Sequence, residues 1–194
     1  VENITMKQLT EMFTVEKVHS SPARFDMKKL EAINGDKIRA LTLDEFLKWS
    51  LPFLTKAEII TGTAAETELV KKALPWIQER IIMLNEVPKM LKFLFTTKFA
   101  VEAESVSKIT DEGSKEILKR SIKELESVSV WNHENIEAVL RASLIEEMAL
   151  KPRIAFTALR IATTGSTISP PLFESMELLG KEACLLRINA GLAL

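Results

Sequence analysis

Apolar residues recur at spacings of three and four along almost every segment of this chain, a regularity that calls for helices packed on helices. Leu43, Phe46, Leu47, Leu51 and Leu54 form one stripe. Leu69, Val70, Ala73, Leu74, Ile77, Ile81 and Leu84 form a second, and Ile136, Val139, Leu140, Leu144, Ile145 and Met148 a third. No segment alternates apolar and polar residues as a half-buried strand would. The chain therefore reads as all-α.

Start and stop signals agree with the stripes. Asp26 is a predicted N-cap ahead of Met27, Leu30, Ile33 and Ile38, Thr42 with Glu45 spells a capping box, and Asn132 caps a later helix. Pro75 falls inside a long periodic run that begins near Ala64 and predicts a kink or a break there. A short helix is expected over residues 5–13, with Met6, Leu9, Met12 and Phe13 apolar. The highly charged segment 108–127 reads as a surface helix, with Ile109, Ile117, Leu118, Ile122 and Leu125 turned inward. A terminal helix over 182–192 is expected to turn Leu185, Leu186 and Ile188 inward.

The densest turn chemistry lies in residues 163–181, TTGSTISPPLFESMELLGK. Pro170 and Pro171 both lock φ near −65° and donate no N–H, so the loop before them is stiff and a helix can start directly after. Leu172, Met176 and Leu179 then mark one helical face, and Gly180 offers a stop. By local physics alone this reads as an ordinary proline-initiated helix.

The 194 residues suffice for one large domain or two small ones with a real core. Charged residues make up 27% and hydrophobic ones 46%, which argues against disorder. The single cysteine, Cys184, excludes a disulfide framework and reads as a small buried hydrophobe in a reducing, cytoplasmic setting. No apolar run reaches the roughly 20 residues of a membrane span. The net charge of −1 argues against a strongly basic nucleic-acid binder, though residues 150–194 carry a net +2. His19 and His133 have no Cys or carboxylate partners at ligand spacing, so neither a metal site nor a catalytic triad is written here.

The loop run Thr164, Gly165, Ser169, Pro170, Pro171, Leu172, Phe173, Glu174, Leu178, Leu179, Gly180, Lys181 resembles the T-G-x-x-x-S-P-P-L-F-E-x-x-x-L-L-G-[KR] run of the anticodon-binding region of bacterial glutamyl-tRNA synthetases. A second run, SSPARFDMKKLEAINGDKIRAL at 20–41, resembles that family's S-P-A-x-F-D-x-x-K-L-x-x-x-N-x-x-x-I-R segment, and the two occur in the expected order. The resemblance implies two helical anticodon-binding subdomains, expected at residues 1–104 and 105–194. It implies tRNA(Glu) as partner and a monomeric chain. It also implies a parent enzyme that joins glutamate to tRNA with ATP and Mg in a catalytic domain. The H-I-G-H and K-M-S-K-S signatures of that domain are absent, which under this resemblance fits a piece from downstream of it, as does the opening Val1. The fragment itself is expected to hold no cofactor, no metal and no catalytic residue.

Site residues follow from the same likeness. Arg80 aligns with the arginine that reads the last anticodon base, and a guanidinium fork suits a base acceptor edge. A surface arginine paired with Glu79 or Glu86 is the alternative. Arg160, in a run resembling the family's A-L-R-x-A-x-T-G element, is expected to face the anticodon loop, with Ser169, Pro170, Pro171 and Leu172 holding the first two bases. Lys28, Lys29, Lys37 and Arg39 on the helix after Asp26 are either a solvated face or sequence-independent phosphate contacts. Phe93, Leu94, Phe95 and Phe99 are read as core rather than as a stacking platform. The rival reading, a helical protein-interaction module without RNA function, draws its support from the near-zero charge. Whether a parent enzyme would also charge tRNA(Gln) stays open.

Overall fold

The computed structural model of the chain describes residues 4–18, 25–96 and 99–194. His19, residues 20–24 of the second motif, and Lys98 lie outside the described residues. Among the described residues there is no strand, and twelve α-helices run in order. They are α1 (Met6–Met12), α2 (Met27–Arg39), α3 (Leu43–Lys56), α4 (Ala64–Ala73), α5 (Pro75–Gln78), α6 (Val87–Phe95), α7 (Ala103–Val106), α8 (Glu112–Ser127), α9 (His133–Arg141), α10 (Pro152–Thr164), α11 (Leu172–Leu179) and α12 (Lys181–Leu192).

Most of these helices begin on a local signal. The side chains of Thr5, Asp26, Thr42, Thr63, Asp111 and Asn132 each accept a backbone N–H from the first turn of the helix that follows. Glu66 accepts the backbone N–H groups of Thr61, Gly62 and Thr63, which holds its carboxyl down at about 2. Proline opens α5, α6 and α10, and Pro171 precedes α11. The expected interruption at Pro75 is a break between α4 and α5.

Buried apolar side chains gather in two clusters. The first takes Ile38 from α2, Phe46 and Leu54 from α3, Val70 and Ala73 from α4, Ile77 from α5, and Val87, Met90 and Leu91 from α6. The second takes Ile117, Leu118 and Leu125 from α8, Ile136 and Leu140 from α9, Ala155, Ala158, Leu159, Ile161 and Ala162 from α10, Met176 from α11, and Cys184 and Ile188 from α12. The charged helix α8 packs its expected apolar stripe on α9, α10 and α12 and leaves Glu112, Glu116, Lys119, Lys123 and Glu126 exposed. Lys181 closes its end by donating to the carbonyls of Glu126 at 2.8 Å and Val128 at 2.7 Å.

Three expectations of detail differ. In α1, Met6, Leu9, Met12 and Phe13 are all exposed, so among the described residues this helix has an apolar face with no core beneath it. After α9 the chain widens into a π-helical turn, Ala142–Glu147, where the apolar spacing alone predicts continued α-helix. In α12, Leu186 is 72% exposed while Cys184 and Arg187 are buried, because the inward stripe runs through 184, 187, 188 and 191 and includes an arginine.

Candidate nucleic-acid interface

The Pro-Pro loop is fixed at its start by Gly165. This residue ends α10 at φ 84°, and a Cβ there would lie 2.9 Å from the Ala100 carbonyl oxygen, so only glycine fits. Its carbonyl accepts the Glu102 N–H at 2.9 Å, and its own N–H donates to Ile161 at 2.9 Å. The loop is thus stitched to α10 and to the segment that joins the two cores.

The small hydroxyls of the loop point inward. Thr163 Oγ1 donates to the Leu159 carbonyl at 2.8 Å, Thr164 Oγ1 to the Arg160 carbonyl at 2.8 Å, and Ser175 Oγ to the Pro171 carbonyl at 2.7 Å. Ser169 Oγ donates to the Pro170 carbonyl at 2.9 Å and accepts from Arg160 at 2.5 Å. Ser169, Pro170 and Leu172 are buried, Pro171 is half-buried, and Ile168 at the tip is 59% exposed. Of the residues expected to touch bases here, three make the underside of the loop. Its outer surface comes from residues 166–168 and Pro171.

Arg160 is a strut. One Nη donates both to Ser169 Oγ and, at 2.6 Å, to the Pro170 carbonyl, so a residue nine positions upstream sets the height of the proline pair. Its guanidinium is held below its ordinary pKa first by burial and then by the positive charge of Arg80, with Glu174 opposing. Arg80 therefore lies within electrostatic reach of Arg160, although the two belong to different cores.

Arg80 itself is exposed in the turn after α5, with its N–H on the Ile77 carbonyl at 2.9 Å. Its expected partners do not pair with it: Glu86 accepts the N–H groups of Ile82 and Met83 instead, and Arg80 forms no ion pair among the described residues. The turn is held in place by α2. Gln78 Nε2 donates to the carbonyls of Ile38 and Leu41, both at 2.9 Å, and Asn34 Nδ2 donates to the Ile82 carbonyl. Gly35 lets the turn approach, since a Cβ there would lie 3.2 Å from Ile82.

The basic residues of α2 do not form one face. At about 100° per residue, Lys28 and Arg39 share a line three turns apart, Lys29 lies a quarter-turn away and Lys37 falls on the opposite side. Arg39 is ion-paired to Asp36 at 2.5 Å, close to the Arg80 turn, and the other three are exposed. Phe93 is buried, while Leu94, Phe95 and Phe99 are half-buried.

Sequence reasoning missed Lys89 and Lys92. One turn apart on α6, they are exposed and line a cleft of about 130 Å³ together with Thr164, Gly165, Ser166, Ile168 and Ser169. Their i, i+3 spacing near Arg80 was the available signal. Across the loop the resulting surface offers guanidinium and ammonium donors beside a stiff, partly apolar tip. That combination suits phosphates and unstacked bases. Among the described residues no cluster of His, Cys, Asp or Glu could hold a metal, and no helix is long and apolar enough to cross a membrane.

Residues 37–192 match the family described as the anticodon binding domain. This chain belongs to that family. The match covers both buried clusters, the Arg80 turn and the Pro-Pro loop. A glutamate–tRNA ligase of Arthrobacter sp. (strain FB24) is 45% identical over 189 residues, 96% of this chain and 38% of that protein. One from Saccharopolyspora erythraea is 41% identical over 191 residues, 97% and 38% of the respective chains. The chain thus spans well under half the length of these relatives. In fold, the anticodon binding domain here is similar to part of a solved glutamate tRNA ligase from Elizabethkingia meningosepticum. The TM-score is 0.77 at 19% identity, covering 98% of this chain and 37% of that one.

Proposed function

We propose that this chain binds the anticodon loop of tRNA(Glu) as part of a cytoplasmic, monomeric glutamate–tRNA ligase. The whole enzyme would join glutamate to tRNA(Glu), with ATP and Mg handled outside these 194 residues. The observation that carries the reading is that two arginines are built into held turns: Arg160 bonds Ser169 and Pro170 under the Pro-Pro loop, and Arg80 stands exposed on a turn that Gln78 and Asn34 fix to the α2 side, neither with a carboxylate paired to it among the described residues. Such a pair is suited to an anionic, single-stranded partner whose bases are splayed.

The roles divide by exposure. Arg80, free and exposed, reads the last anticodon base. Arg160 supports that reading by holding Ser169 and Pro170, and Pro171 with residues 166–168 meets the first two bases. Lys89 and Lys92, with Lys28, Lys29, Lys37 and Arg39 more weakly, contact phosphates. Residues 1–104 and 105–194 act as two subdomains, a division that the two separate buried clusters support.

Filter binding of tRNA(Glu) over a salt series tests the reading. Affinity is expected to fall as salt rises, and Arg80→Ala is expected to cost about 1–3 kcal/mol and to relax preference at the last base. Salt-independent or absent RNA binding would favour a protein-interaction module instead. Unchanged base preference in Arg80→Ala would remove that residue's role.

A further inference from the structure

Arg187 stands on α12 with 7% of its surface exposed, and no carboxylate pairs with it among the described residues. A buried cation is unfavourable unless something else supplies negative potential. Here two helix ends do so. One Nη donates to the Thr163 carbonyl at 2.8 Å, in the last turn of α10, and the other to the Phe93 carbonyl at 2.9 Å, in the last turn of α6. Carbonyls in a last turn lack intrahelical donors and carry the negative end of the helix dipole. The guanidinium also lies over the Phe99 ring, 4.3 Å from its centroid, in the segment joining the two cores.

The two carbonyls belong to different halves. The first core contains α6, while α10 and α12 belong to the second. Arg80 rides with the first half, held by α2, whereas Arg160 and the Pro-Pro loop ride with the second. Thr163 lies two residues before Gly165, where the loop begins, and α6 carries Lys89 and Lys92 across the cleft from that loop. Neither apolar cluster includes Arg187, and its two carbonyl bonds reach from one half to the other.

We propose that Arg187 is a positioning residue for RNA recognition, a fork that locks the two halves at the spacing where Arg80 and the Pro-Pro loop engage one anticodon loop. The proposal rests on the anticodon-binding reading, and its test separates the two. Lysine at 187 keeps the charge but lacks the planar fork that reaches two carbonyls, and methionine removes both.

In the parent chain, Arg187→Lys and Arg187→Met, cysteines replace Lys56 on α3 and Lys123 on α8 for spin labelling. Cys184 is left in place, since burial pushes its thiol up to about 12 and keeps it unreactive. Three readouts follow: helical circular dichroism, the label-to-label distance distribution, and affinity for an RNA hairpin carrying the glutamate anticodon loop. The expected result is helical signal retained and a distribution that is narrow in the parent, broader in Arg187→Lys and broadest in Arg187→Met. Hairpin affinity should fall about tenfold if the competent arrangement drops to about a tenth of the population. The salt slope should stay unchanged, since no phosphate contact is removed.

Distributions as narrow as the parent's in both variants would overturn the lock. So would loss of helical signal in both, which would make Arg187 a fold residue, or a shallower salt slope, which would make it a direct contact. A parent chain that fails to bind the hairpin overturns the anticodon reading instead, and the distances then judge the lock alone.

Discussion

The two halves of the chain meet along two seams built in opposite ways. At one, Trp76 of α5 sets its ring against His133 at the start of α9, centroids 6.0 Å apart, and Leu178 of α11 packs onto the first core. His133 is half-buried; its Nδ1 lies 2.6 Å from Glu177 Oε2, which also accepts the His133 N–H at 2.8 Å. At the other seam, Arg187 is buried and Gly165 is backed against Ala100. The first seam titrates near neutrality because imidazole does, while the second stays charged at every physiological pH because guanidinium does. A domain joined by both can loosen at one edge while keeping its binding loop in register.

Substitutions at the two edges test this contrast. The largest effect is expected from Gly165→Ala, where a left-handed φ and a Cβ 2.9 Å from a backbone oxygen together cost about 2–4 kcal/mol. Urea unfolding would read it, and a loss below about 1 kcal/mol would mean the second seam is slack. Next comes Trp76→Ala, expected to cost about 1–2 kcal/mol because the ring is only half-buried, with RNA affinity falling less than in Arg187→Met. Equal losses of affinity would erase the distinction between the seams.

A smaller effect concerns pH. The hydrogen bond to Glu177 raises the His133 pKa above 6.5, helped by the charges of Glu134, Glu177 and Glu174 and opposed by burial. A raised folded value means the stabilisation is complete below 6.5 and is lost as pH climbs through the folded value. Stability should therefore decline from pH 6 to pH 8 in the parent and stay flatter in His133→Gln, measured by urea midpoints at each pH. Equal slopes would detach the seam from titration. The smallest change is expected in Glu134→Gln, whose carboxylate lies 3.3 Å from His133 Nε2 in an exposed pair. Its cost should stay within about 0.5 kcal/mol, with the His133 midpoint in an NMR titration moving down.

Much of the fold was legible because its signals are local. Asp26, Thr42 and Asn132 cap the helices they were expected to cap, and Pro75 breaks the run it interrupts. The same locality explains the misses. Arg187 reads as an outward residue in any count of apolar spacing, because its acceptors are 24 and 94 positions away. The same spacing turns Leu186 inward, where the structure has it exposed and buries Arg187. The π-helical turn after α9 packs on α8 and α10, and periodicity encodes neither its wider winding nor those distant contacts. At the candidate site, Arg160 and Ser169 lie nine positions apart and meet through a hydrogen bond at 2.5 Å, a partnership that spacing allows but only coordinates reveal.

The helix starts described above have a further consequence, in time. A chain whose Thr5, Asp26, Thr42, Thr63, Asp111 and Asn132 each open a helix from within three residues can begin those helices before distant segments meet. The bonds of Arg187 can form only after both halves exist, so the fork arrives late. Interactions absent from the transition state govern escape from the native state rather than entry to it. Losing a cap should slow the forward reaction, and losing the fork should hasten the reverse one.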